Sequence, residues 1–217
     1  MSDERDPGRR LLVLEGGEGA GKTSCMQAAC AFLESRGLVY VRSREPGGTE
    51  LAEQIRDLLL ADRTEPVQAM TELLLVFAAR VQHLHERIMP ALDQGHWVIL
   101  DRFTDASYAY QGGGRQLGQE IVALFEDIVQ GTLRPGRVFW LDVPVATGLD
   151  RVQGRQDLDR LDRESLSFMQ RVHQVYAERC QQNPHRYHRV DASLPLEQVQ
   201  YQLIQALAAY VDDVASN

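Results

Sequence analysis

The chain has 217 residues, of which 44% are apolar and 25% charged, with a formal net charge of -8. That length and composition suit one globular domain over residues 1–217 with a sizeable core. The acidic balance argues against duplex DNA or other nucleic acid and against an anionic membrane as partner, so any bound anion must be held by a local positive cluster.

In chain order, the opening MSDERDPG reads as a flexible start over residues 1–8 without signal-peptide character, and no apolar stretch approaches the ~20 residues of a membrane span. Strands are expected at Leu11 to Glu15, Leu38 to Arg42, Trp97 to Asp101, Arg137 to Asp142 and, more weakly, Tyr187 to Val190. Helices are expected at Ala20 to Arg36 and Glu50 to Leu60. A longer one carries Val67, Met70, Leu74, Phe77, Val81, Leu84 and Ile88 in steps of three and four, with Pro90 ending or kinking it. Further helices are expected near Gly118 to Val129, Pro144 to Val152, Leu161 to Cys180 and Leu196 to Val211. Strands that alternate with helices and read as continuous apolar runs predict an α/β fold, a parallel sheet covered on both faces. Ligands then belong at the carboxyl ends of the strands. Pro46–Gly48, Gly112–Gly114 and Gly154–Asp159 read as loops. Cys25, Cys30 and Cys180 form no metal or disulfide pattern and suit reduced thiols in a cytoplasmic protein. The six histidines lack a ligand set.

Among 23 Lys and Arg, Lys22 is the only lysine. It stands in Gly16-Gly17-Glu18-Gly19-Ala20-Gly21-Lys22-Thr23, a GxxxxGK[ST] phosphate loop between a predicted strand and a predicted helix. Such glycines let backbone N–H groups turn toward phosphate oxygens, and the helix N-terminus adds positive potential. Lys22 suits the β and γ phosphates of ATP, and the Thr23 hydroxyl suits Mg²⁺. Ser24 completes the ATP-binding run. The strand ending Asp101-Arg102 offers an acidic residue for the Mg²⁺ shell and an arginine for a second phosphate. A water-activating carboxylate is missing there, which favours transfer to a phosphorylated acceptor over hydrolysis. Arg44 ends the second predicted strand, Arg80 follows Phe77 by three residues on one helix face, and Arg115 follows the Gly112–Gly114 run. On periodicity alone, Phe77 belongs to the apolar core seam.

With LEGGEGAGKT, REPGGT, Phe77-Ala78-Ala79-Arg80, DRFTDASYAYQGGGR and RQDLDR in that order, the sequence from Leu11 to about Val199 resembles the bacterial thymidylate kinases. The resemblance implies a P-loop NTPase fold with a five-stranded parallel sheet and a short mobile lid over about 152–162. It implies Mg²⁺-dependent transfer of the γ-phosphoryl group of ATP to dTMP by a homodimer. It also implies that Phe77 stacks on thymine while Arg80 bonds its edge. Ser107 and Gln111 would frame the base, and Tyr110 would lie against the deoxyribose. Arg44 and Arg102 would hold the acceptor phosphate beside Glu18, with Thr23 and Asp101 serving the metal. Arg155 and Arg160 would close over ATP. Since Glu18 or Ala20 stands where some relatives carry a P-loop arginine, Arg155 becomes the transition-state arginine. The lid departs from the family in Gln153, where a basic residue is usual, and in Asp162, where Glu is common. Two rivals follow from the residues alone. One is a P-loop kinase for another monophosphate or a deoxynucleoside, with Glu18 or Glu45 as base. The other is a regulatory module that hydrolyses ATP slowly.

Overall fold

The computed structural model describes residues 7–153, 160–161 and 163–216. Five parallel strands lie in the order β2-β3-β1-β4-β5: β1 is Leu11–Glu15, β2 Tyr40–Arg44, β3 Trp97–Asp101, β4 Arg137–Asp142 and β5 Tyr187–Asp191. The expected sheet is therefore present, with β1 central and paired to β3 (Leu14 opposite Asp101) and to β4 (Glu15 opposite Trp140). Because alternate side chains point to opposite faces, Leu12, Leu14, Ile99, Phe139 and Leu141 form one core with α1 (Lys22–Ser35) and α9 (Leu196–Ser216). Leu11, Val13, Val98, Leu100 and Val138 form the other, against the helical run that ends in Ala91 and Leu92.

Several elements differ from the sequence reading, among them α8 (Leu166–Gln182), which starts at Leu166 and not at Leu161. β2 starts two residues later than expected, because Leu38 still closes the end of α1: its N–H donates to Leu33 O at 3.0 Å beyond Gly37, whose φ is 67°. Pro90 does not end its helix. α3 (Ala69–His83) passes into a π turn over Leu84–Ile88 and then into α4 (Met89–Asp93), and the wider turn absorbs the missing proline N–H.

Gly112–Gly114, expected as a loop, lies inside helix. The short α5 (Thr104–Ser107) continues into a π turn over Tyr108–Gly114. Its glycines let the turn press onto α8 (Leu166–Gln182), where a Cβ on Gly113 would sit 2.5 Å from Val175 Cγ2 and one on Gly114 2.6 Å from the Phe168 ring. At the start of the chain Gly8, expected to be flexible, lies in a 3₁₀ turn and accepts from Gly136 N–H at 2.7 Å.

The remaining helices are α2 (Glu50–Leu60), α6 (Gln119–Gln130) and α7 (Val145–Gln153). No described helix is long and apolar enough to cross a membrane.

Candidate active site

All strands point their carboxyl ends to one edge, where the loops after β1, β2 and β3 enclose a cavity of ≈200 Å³. Glu18 to Thr23 line one end of it; Val76, Arg80, Phe103, Ser107 and Gln111 line the other. One continuous space therefore joins a phosphate-type cradle to a chamber walled by both apolar and polar side chains.

At the cradle, Gly19 adopts φ 70°, and a Cβ there would overlap the Gly148 carbonyl of α7, so this position requires glycine. Lys22 Nζ donates to the carbonyls of Gly16 (3.1 Å) and Gly17 (3.0 Å). Burial first, and then the Arg102 charge, draw its ammonium below the usual lysine pKa. Thr23 opens to the cavity, while Ser24 lies one residue further into α1 with its carbonyl taken by Gln200 Nε2 at 3.1 Å. At the end of β3, Asp101 Oδ1 is buried and has no hydrogen-bond partner among the described residues. A buried carboxylate oxygen left unpaired beside a phosphate cradle suits a hard cation or its water shell.

Arg102 follows at φ 66°, a left-handed conformation unusual for a residue with a side chain. Its Nη2 donates to Glu18 Oε1, and its guanidinium lies 4.8 Å over the Tyr110 ring, whose hydroxyl donates to the same Glu18 oxygen at 2.8 Å. Behind them Glu15 is fully buried and accepts from Phe103 N (2.8 Å), Ala106 N (3.3 Å) and Tyr176 OH (2.8 Å). Burial, with Asp105 second, pushes its carboxyl up to about 8.

At the other end Arg80 is 1% exposed and sandwiched between the rings of Phe77 (4.6 Å) and Phe103 (5.2 Å). Its Nε donates to Glu45 Oε2 (2.6 Å) and its Nη2 to Phe103 O (3.1 Å) and Ser107 Oγ (3.0 Å). Nη1 alone has no hydrogen-bond partner among the described residues. A guanidinium fixed on two edges and left unpaired on the third is a donor reserved for a ligand. Gln111 is buried, with its amide nitrogen donating to Glu72 Oε1 at 2.7 Å. Glu72 also takes Arg115 and Arg160. Burial alone would raise its pKa, but the three donors hold the carboxyl below its ordinary value.

The structure brings Glu18, Lys22, Thr23, Asp101, Arg102, Arg80, Ser107, Tyr110 and Gln111 to one cavity. It does not bring Phe77 there: that ring is 2% exposed and packs on Phe125 at 5.4 Å, while the preceding residue, Val76, lines the chamber. Nor does it bring Arg44, which is half exposed and paired outward with Glu53 (2.5 Å); Arg56 of α2 lines the cavity. Arg160, expected over ATP, is engaged by Glu72 (2.7 Å) and Leu59 O (3.3 Å) on the α2–α3 side. Arg155 lies outside the described residues.

Reasoning from sequence missed Arg56, Val76, Phe103 and the buried acids Glu15 and Glu72. Arg56 had a signal in its place one helix after the REPGGT loop. The acids had none, because their partners are distant in sequence. Arg151 was missed as well; its Nη1 bridges Gly19 O (3.2 Å) and Ala192 O (3.0 Å) beside the cradle.

The thymidylate kinase family model matches residues 14–203. The thymidylate kinase of Alkalilimnicola ehrlichii is 52% identical over 93% of this chain and 94% of its own length. That of Teredinibacter turnerae is 49% identical over 93% and 98%, and that of Pseudomonas savastanoi pv. phaseolicola 51% identical over 89% and 92%.

Proposed function

The chain belongs to the thymidylate kinase family, and from that premise we propose that its cavity transfers the γ-phosphoryl group of ATP to dTMP, giving ADP and dTDP for dTTP synthesis. The observation that carries the reading is the single cavity running from the Lys22 cradle to the unpartnered Nη1 of Arg80.

In this reading ATP lays its phosphates on Gly16–Thr23, with Lys22 exchanging its two carbonyl partners for phosphate oxygens. Thr23 and Asp101 Oδ1 would hold Mg²⁺, which would supply neutralisation of phosphate charge. Arg102 and Arg56 hold the acceptor phosphate. Val76 and Phe103 wall the base, and Arg80 Nη1 donates to its edge. Ser107 and Gln111 fix the frame around it. Tyr110, held by Glu18, sits where a 2′-hydroxyl would crowd it.

The acceptor phosphate oxygen is already ionised, so no general base is required, and catalysis consists of in-line positioning and charge stabilisation. Arg155 remains our choice for the transition-state cation, on the sequence alone, with Arg160 the second candidate.

A deoxynucleoside acceptor would need a free carboxylate base. Glu18 is tied to Arg102 and Tyr110, and Glu45 to Arg80 and His83, which disfavours that rival.

We further read the chain as a cytoplasmic homodimer. Met70, Leu74 and Val81 on α3 and Leu124 and Ile128 on α6 are exposed. Their spacing gives each helix an apolar stripe suited to a second copy.

The deciding experiment is ADP production from Mg-ATP with dTMP, dUMP, dGMP, AMP, shikimate or thymidine. Turnover confined largely to dTMP is the expected result. Turnover with a different acceptor, or ADP release without one, would overturn the acceptor assignment.

A further inference from the structure

A second set of polar groups lies behind Arg80: Ser43 and His83, which stand back from the cavity, and Glu45, which reaches its lining. His83 ends α3, three residues after Arg80 and so on the same face. It is fully buried, with Nδ1 3.0 Å from Glu45 Oε1 and Nε2 2.7 Å from Ser43 Oγ. Glu45 spends its other oxygen, Oε2, on Arg80 Nε. The chain Ser43–His83–Glu45–Arg80 thus runs from the end of β2 to the chamber without a gap. Burial alone would raise the Glu45 carboxyl; Arg80 and His83 together bring it below its ordinary value. Glu45 is therefore ionised and matches the Arg80 charge.

A hydroxyl, an imidazole and a carboxylate in this order also suggest an acyl-transfer triad. Gly48 rules that out sterically. It stands at φ 89°, and a Cβ on it would overlap both His83 Nε2 and Ser43 Oγ, so the backbone seals the pair where a substrate carbonyl would have to enter. The same packing gives the group a different use. With Nδ1 bonded to Glu45 and Nε2 bonded to Ser43 Oγ, the imidazole fixes the carboxylate plane. That plane sets the direction of Nε, and with Nη2 held by Phe103 O and Ser107 it sets where Nη1 points.

We propose that His83, backed by Ser43, is a positioning residue that holds Glu45 and through it aims the Arg80 guanidinium at the base of the acceptor, so that acceptor affinity depends on a histidine that never touches the ligand. The inference rests on the reading above, in which Arg80 meets the acceptor. His83→Leu removes both hydrogen bonds; His83→Asn keeps an amide N–H within reach of Glu45.

The test measures KM for dTMP, KM for ATP, kcat and Tm for His83→Leu, His83→Asn, Ser43→Ala, Arg80→Met and the His83→Leu/Arg80→Met double variant. His83→Leu should raise KM for dTMP about tenfold and leave KM for ATP within about twofold, the size expected for one lost buried hydrogen bond to a charged group. His83→Asn should recover most of the loss. Adding His83→Leu to Arg80→Met should change KM for dTMP no further.

An unchanged KM for dTMP in His83→Leu overturns the proposal. So does an equal rise for both substrates, or a full further rise in the Arg80→Met background. If His83→Leu does not fold, Ser43→Ala and His83→Asn decide: a Ser43→Ala enzyme with both KM values unchanged, beside a His83→Asn enzyme that loses both substrates alike, reduces the group to a structural role. The premise fails separately. Arg80→Met with an unchanged KM for dTMP removes Arg80 from the acceptor site, whereas a large rise there with none in His83→Leu removes only the relay.

Discussion

Arg102 donates through Nη2 to Glu18 Oε1, which ties the end of β3 to the middle of the phosphate loop. Arg102 makes this contact from φ 66°, a conformation that costs on the order of 1 kcal/mol for a residue with a Cβ. Strain kept at one residue on the cavity edge marks a side chain whose direction matters. Arg102→Ala and Arg102→Gly should both lower kcat/KM for dTMP by about 10²–10³-fold, or about 3–4 kcal/mol of transition-state stabilisation. Arg102→Gly should nevertheless melt higher than Arg102→Ala, because only alanine retains the strain. Equal melting temperatures would mean that the left-handed backbone stores nothing.

The two arginines near the REPGGT loop should behave differently. Arg56 lines the cavity, with Nη1 on Pro46 O at 3.0 Å, whereas Arg44 faces outward to Glu53. Arg56→Ala should raise KM for dTMP by roughly tenfold or more, the loss of a charge-assisted phosphate contact. Arg44→Ala should change KM by less than about threefold, since exposed ion pairs contribute little. The reverse order would restore Arg44 to the acceptor site.

Val76 and Phe77 separate the pocket from the core. Phe77 is buried against Phe125 and backs the Arg80 guanidinium; Val76 faces the chamber. Phe77→Leu should cost on the order of 1–3 kcal/mol in stability and leave KM for dTMP within about threefold. Val76→Ala should cost about 1.5 kcal/mol or less yet raise KM for dTMP several-fold. Steady-state kinetics well below the melting temperature of each variant decide between them; a larger KM effect at Phe77 than at Val76 would put the aromatic ring back on the base.

These cases show what a sequence makes legible. The phosphate loop was readable because its chemistry is local: eight consecutive residues supply glycines, ammonium and hydroxyl in a fixed spacing. Asp101 and Arg102 were readable because a strand's end fixes where its last residues lie. The Phe77–Val76 choice was not, because neighbouring helical positions differ by about 100° in direction, and the three-and-four seam read from the sequence carried Phe77 without Val76. Gly112–Gly114 read as a breaker because nothing local announces that α8, more than fifty residues later, needs close approach there. The buried acids were hidden for a related reason. Glu15 and Glu72 are tolerable in the interior only through partners such as Tyr176 and Arg160, which the fold alone brings near.

Glu15 gives a pH dependence of definite sign. Its carboxyl is raised from 4.5 to about 8 in the folded protein, by burial and then by Asp105. Between those values the folded chain keeps a proton that the unfolded chain has lost. The stability this proton protects is complete below about 4.5 and lost as pH rises to about 8. Gln in place of Glu15 mimics the protonated acid and can still accept from the Phe103 and Ala106 N–H groups. The melting temperature of Glu15→Gln relative to the parent should therefore rise from pH 5 to about pH 8 and level off above it. A difference that is flat across this range would show that Glu15 is ionised in the native protein throughout.

Gly148 tests the cradle from outside the phosphate loop. It lies within α7, where alanine is ordinarily favoured over glycine by about 1 kcal/mol. Here a Cβ would overlap the Glu18 carbonyl, just as one on Gly19 would overlap the Gly148 carbonyl, so the two backbones meet without room for a side chain. Packing should outweigh propensity, because the carbonyl belongs to a loop whose shape is set by several glycines and by the Arg151 bridge to Gly19 O. Gly148→Ala should push the Glu18–Gly19 peptide toward the cavity and raise KM for ATP about tenfold, with a smaller change for dTMP. A higher melting temperature with KM for ATP unchanged would show that α7 yields instead and that the helix, not the loop, absorbs the added methyl.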